Sequence, residues 1–148
     1  MAKRILVPLD GSTVAESAIP MIADLARGGG AAVRLIYVAP MPENRYGKDG
    51  HLVAYADQEI AGAEAEQLDY LGSVEVGLGG APVERVVRFG HPVREILNEA
   101  EEWGADLVAV TTAGRSGLGR VVLGSVAEEV FRRARVPVVL YHPGRGAA

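Results

Sequence analysis

The chain contains no cysteine, which removes disulfides, thiolate nucleophiles, iron–sulfur clusters and cysteine zinc sites in one step. Aromatic residues make up only 5%, a composition that speaks against a stacking platform for nucleic-acid bases. No stretch approaches the roughly 18 consecutive apolar residues of a membrane span. Met1-Ala2-Lys3-Arg4 runs directly into Ile5-Leu6-Val7-Pro8 without a secretory hydrophobic region or cleavage site, so a soluble, cytoplasmic protein is expected. Basic charge is in deficit too, with 15 Lys and Arg against 19 Asp and Glu, which argues against nonspecific nucleic-acid binding. His51, His91 and His142 lie far apart without metal-ligand spacing, and His91 beside Pro92 reads as a helix-start residue. There is no Gly-x-Ser-x-Gly elbow for a hydrolytic serine. Any chemistry must use oxygen, imidazole or backbone groups.

What is present is an ordinary globular composition, 49% hydrophobic and 23% charged over 148 residues. That length suits one domain burying about two-thirds of its unfolded surface; we expect a domain over residues 1–142 and a frayed tail over 143–148. Net charge is −4, but all nine bases after residue 75 are arginine, and Arg115 and Arg120 flank glycines where a small anion could be neutralised.

Periodicity supplies the order of elements. Residues 3–9 form a short apolar run ended by Asp10-Gly11, as a strand buried on both faces does. Thr13 and Glu16 have capping-box spacing, and Ala15, Ala18, Ile19, Ile22, Leu25 and Ala26 mark one helical face that stops at Gly28, with Pro20 expected to kink it. Residues 32–38 read as a strand, 39–51 as a long loop and 52–71 as a helix with Val53, Ala56, Ile60 and Ala63 on one side. A partly exposed strand over 83–89 precedes a helix that opens at Pro92, faces Val93, Ile96, Leu97, Ala100 and Trp103 inward, and closes at Gly104. Glu99, Glu101 and Glu102 are expected on its solvated face. Residues 106–111 and 136–141 read as strands separated by a glycine-rich stretch and a helix carrying Val126, Val130 and Phe131. Strands alternating with helices imply an α/β layer with a parallel sheet.

In such a sheet, ligands bind beyond the carboxyl ends of the strands. Two segments qualify, Pro8-Leu9-Asp10-Gly11-Ser12 and the stretch from Thr111 to Ser125, with glycine at 114, 117, 119 and 124 ahead of a helix. Bare backbone N–H groups and a helix amino terminus suit phosphate oxygens. Two local readings compete: Ser125 and Glu128 form a capping box, and Asp10 is a turn residue as readily as a ligand contact.

The chain resembles the universal stress protein family. The resemblance rests on Ile5 through Ser12, Gly90-His91-Pro92, Ala105 through Val108, Pro137 through Val139, and above all the ATP-binding signature Gly-x2-Gly-x9-Gly-Ser/Thr, met by Gly114, Gly124 and Ser125. Thr111 stands where that signature has its first glycine, close to the ribose. The resemblance implies a single-domain Rossmann-like three-layer sandwich, its five-stranded parallel sheet ordered 3-2-1-4-5 with helices on both faces. Adenine is then expected beside Pro8, Asp10 and Val38, with Leu9 among the nucleotide-binding residues, and phosphates on Gly114, Arg115, Ser116, Gly117, Gly124, Ser125 and Val126. The implied ligand is ATP with Mg2+ held through its phosphates, and the implied role is a nucleotide-responsive stress or signalling module with no dedicated catalytic base. The alternatives are a dimeric adaptor that no longer binds nucleotide and a slow ATP hydrolase. The last strand, apolar on both faces at a sheet edge, is expected to pair two copies in a homodimer. The 39–51 loop is read either as a lid whose Arg45 and Lys48 reach the nucleotide or as a tolerated insertion.

Overall fold

A computed structural model describes residues 3–42, 45–46, 50, 52–54, 56–115, 121–122 and 124–143. In chain order these residues form β1 (Arg4–Leu9), α1 (Thr13–Glu16), α2 (Ile19–Gly29), β2 (Ala32–Ala39), β3 (Arg45–Tyr46), β4 (Leu52–Ala54), α3 (Ala56–Glu75), a 3-10 turn (Val76–Leu78), β5 (Val83–Phe89), α4 (Pro92–Trp103), β6 (Leu107–Thr111), β7 (Ala113–Arg115), β8 (Val121–Val122), α5 (Ser125–Arg133) and β9 (Val138–Tyr141). The main sheet is parallel throughout and ordered β5-β2-β1-β6-β9. Counted within that sheet alone, the order is the expected 3-2-1-4-5.

Alternation along the central strands divides the core into two layers. Ile5, Val7 and Leu9 pack with Ile19, Ile22 and Ala26 of α2 and Leu71 and Val74 of α3. Leu6, Ile36, Val108 and Val110 point the other way, onto Val93, Ile96 and Ala100 of α4 and Ala127 and Val130 of α5. At the amino ends of the strands a clasp fixes the register of β1 against β6. The Arg4 amide donates to Asp106 Oδ2 at 2.9 Å, the Asp106 amide donates to the Arg4 carbonyl at 2.8 Å, and Arg4 Nη1 donates to the Trp103 carbonyl at 2.6 Å.

Several expectations are corrected. The first helix is capped by Ser12, whose Oγ accepts from the Ala15 amide at 3.1 Å, and not by a Thr13–Glu16 box. Pro20 kinks nothing, because the chain turns at Ser17 and Ala18 and Pro20 falls at the start of a separate helix, where its missing N–H costs no bond. Leu25 is 43% exposed and Ala23 takes the buried position instead. The helix read over 52–71 begins at Ala56 and runs to Glu75; residues 52–54 pair antiparallel with 45–46, so a hairpin occupies part of the expected loop. Lys48, the other residue proposed for a lid, lies outside the described residues, as do 144–148 of the tail.

Glu99 is the largest departure. It is 5% exposed, not solvated, and it receives Arg34 Nη1 on one carboxylate oxygen and Arg88 Nη1 at 2.8 Å on the other. Arg88 also donates to Glu95 at 2.8 Å and Glu102 at 3.1 Å, Arg34 donates to Glu84 at 3.1 Å, and the Arg34 guanidinium lies 4.5 Å from the centre of the Trp103 ring. Burial alone would lower the Arg88 pKa, yet the surrounding carboxylates outweigh it and hold the group above the ordinary arginine value.

Candidate functional site

Both segments singled out in the sequence end at the carboxyl edge of the sheet, after the adjacent strands β1 and β6. Between them lies a cleft of about 410 Å³. Its walls are Pro8 and Asp10 from the end of β1, Ser12, Val14 and Ala15 around α1, Val110, Thr111 and Thr112 from the end of β6, and Gly124 through Ala127 at the start of α5.

The β1 wall is built by a local hydrogen-bond chain. Gly11 turns the chain at φ 87°, a left-handed conformation that disfavours a side chain. Asp10 Oδ1 then accepts from the Ser12 amide at 2.9 Å and the Ser12 hydroxyl at 2.6 Å, and the same hydroxyl caps α1. Asp10 is therefore a turn residue, as one reading held, while its side chain stays exposed at the cleft. Val14, 36% exposed, and Val126, 37% exposed, add apolar surface from α1 and α5.

The opposite wall is the amino-terminal end of a helix. Gly124 is the residue before α5 and has no side chain to cap it, and the Ser125 hydroxyl holds no hydrogen bond among the described residues. The expected Ser125–Glu128 capping box is not formed; Glu128 spends its amide on the Gly124 carbonyl at 2.9 Å as an ordinary helical bond. The first-turn amides of a helix have no partner within the helix, and their dipoles add a partial positive charge there. Gly124 sits at φ −67° and ψ 156°, extended backbone open to any residue. Backbone conformation therefore does not require glycine there.

Six of the expected site residues line this cleft: Pro8, Asp10, Thr111, Gly124, Ser125 and Val126. Leu9 does not, because its side chain is 4% exposed and packs into the α2 layer. Val38 packs partly buried in the α4 and α5 layer one strand away. Gly114 and Arg115 form β7, paired with β8, and Ser116 and Gly117 lie outside the described residues. Thr111 turns its hydroxyl to the Ala15 carbonyl at 3.4 Å, bridging β6 and α1 across the cleft floor.

Thr112 received no role from the sequence. It is 2% exposed and lines the cleft, and its Oγ1 has no hydrogen-bond partner among the described residues. Alternation from Val108 and Val110 could have flagged it, as a hydroxyl continuing a buried face. Among the described residues no group of three or more His, Cys, Asp or Glu could hold a metal ion, and no helix is long and apolar enough to cross a membrane.

Comparison with known proteins gives the family and the fold. Universal stress protein MJ0531 of Methanocaldococcus jannaschii is 30% identical over 145 residues, covering 93% of this chain and 81% of that protein. A universal stress protein from Archaeoglobus fulgidus in complex with dAMP superposes with a TM-score of 0.64 at 22% identity, covering 95% of this chain and 97% of that one. A universal stress protein in complex with cAMP does so with a TM-score of 0.65 at 22% identity, covering 96% and 98%. Residues 1–142 match the Universal stress protein family, and the chain belongs to that family.

Proposed function

We propose that the protein binds an adenine nucleotide, ATP in the first instance, in the cleft between β1, β6 and α5, and acts in the cytoplasm as a nucleotide-responsive module in stress or signalling. One observation carries the reading: the uncapped amino terminus of α5 and the exposed carboxylate of Asp10 border a single cleft. The α5 end suits the phosphates, and Asp10 has an acceptor for a hydroxyl or amino group on the nucleoside. The complexes of relatives with dAMP and cAMP support an adenine ligand. Mg2+ would be held through the phosphates, since Asp10 is the one carboxylate among the described cleft residues and half of it is already bonded to Ser12. Among the described lining residues the one carboxylate, Asp10, already accepts two hydrogen bonds from Ser12, which favours binding over hydrolysis.

Calorimetric titration of the purified protein with ATP, AMP, cAMP and GTP tests this. Binding of ATP, stronger than GTP, is expected; no heat with any adenine nucleotide overturns the reading and leaves a dimeric adaptor in its place.

A further inference from the structure

The orphaned hydroxyl of Thr112 has a physical cost that the free protein does not recover. A buried donor without a partner is destabilising by the desolvation of that group, and native chains retain such groups rarely. Thr112 Oγ1 is shut off from solvent, lacks a partner among the described residues, and belongs to a residue that lines the cleft. Its backbone is held by the bond from the Thr112 amide to the Tyr141 carbonyl at 2.9 Å, which leaves rotation about the Cα–Cβ bond as the freedom by which the hydroxyl can meet an oxygen in the cleft the residue lines. Val110, two residues earlier, packs in the same layer as Ala127. Thr112 continues that face of β6, beside the first turn of α5 with its uncapped amides. A second independent donor thus belongs to the same cleft as the α5 amino terminus.

We infer that Thr112 is a ligand-binding residue whose missing hydrogen-bond partner is an anionic oxygen of the bound nucleotide, so that its hydroxyl joins the α5 amides in holding the phosphate end. This rests on the nucleotide reading above and adds a residue to it. Thr111 does not share the role, since its hydroxyl is already directed at the Ala15 carbonyl. Adjacent threonines therefore divide the work, one closing the cleft floor and the other waiting for the ligand.

The test uses the intact chain, wild type beside Thr112→Val and Thr112→Ser, titrated with ATP and with adenosine, and melted without ligand. Valine keeps the shape and removes the hydroxyl. Thr112→Val should melt at or above the wild-type temperature, because the orphaned donor is gone, yet bind ATP about 3- to 10-fold more weakly. Thr112→Ser should restore ATP binding to within about twofold, and adenosine should bind all three proteins alike. Should the valine variant not fold, Thr112→Ala is read in its place. Unchanged ATP affinity in the hydroxyl-free variant overturns the assignment, as does an equal loss for adenosine; either would leave Thr112 a core residue. If the wild type binds neither ATP nor adenosine, it is the nucleotide reading that fails, and this inference with it.

Discussion

Tyr70 of α3 donates its phenolic hydrogen to Glu16 Oε2 of α1 at 2.8 Å, while its ring meets Tyr37 edge-on at 6.0 Å. The pair ties the helix that carries Val14 and Ala15 of the cleft to the body of the domain. Four residues make too short a helix to be stable alone, so α1 depends on such outside contacts.

Burial first, then the hydrogen bond and negative charge of Glu16, raise the Tyr70 pKa well above the ordinary phenol value. A group whose folded pKa is raised contributes stability that is complete below its unfolded pKa and lost as pH rises through and beyond it. Tyr70→Phe should therefore cost about 1 kcal/mol at pH 7, and the variant should lose less stability than wild type between pH 9 and about pH 11. Urea melts of both proteins across that range check the sign. Parallel decline of the two curves would show that Tyr70 titrates as a free phenol.

Glu99 between Arg34 and Arg88 should be the most sensitive charged position in the chain. Glu99→Gln leaves two half-buried guanidinium groups short of a carboxylate, and a loss of about 3 kcal/mol is expected in chemical denaturation. Glu101→Gln, which breaks only an exposed pair with Arg135 at 3.7 Å, should cost less than about 0.5 kcal/mol. Equal effects would mean that the buried cluster contributes no more than a surface pair.

Gly124 and Ser125 separate folding from binding. Because Gly124 has ordinary extended geometry and Ser125 caps nothing, neither Gly124→Val nor Ser125→Ala should lower the melting temperature by more than a degree or two. Gly124→Val should abolish ATP binding by placing a branched side chain over the α5 amides, and Ser125→Ala should weaken it by about 0.5–1.5 kcal/mol. A drop in stability with unchanged affinity would return Ser125 to a purely structural role.

The last strand predicts assembly. β9 pairs only with β6 among the described strands and leaves its other edge open, with all four residues partly exposed. An edge of Val138, Val139, Leu140 and Tyr141 invites a second copy. Val139→Lys should shift sedimentation from dimer to monomer; a monomeric wild type would remove this proposal.

Legibility in the sequence followed the range of the interaction. Alternation of Ile5, Val7 and Leu9 and the helical spacing of Val93, Ile96 and Ala100 are local, and strand order, both core layers and most of the cleft follow from them once the resemblance is added. Competing local signals were harder. Ser12 and Thr13 both suit an N-cap, and only the Asp10 turn decides for Ser12. Pro20 looks like a kink until the break at Ser17 and Ala18 is known. Glu99 was invisible because its partners are 65 and 11 residues away, on strands β2 and β5. Pro8 lines the cleft while Leu9 packs in the core, because neighbours on a strand face opposite ways.

The clasp of Arg4 with Asp106 and Trp103 bears on how the molecule can be attached to anything else. It anchors the start of β1 at one edge of the sheet, and six residues of strand, roughly 20 Å, separate it from Asp10 at the other. A tether joined at Lys3 therefore starts from the side opposite the cleft. Immobilising the chain through that end on a sensor surface would present the cleft to solution, and a domain fused there would hang from the base of the sheet without shading the mouth.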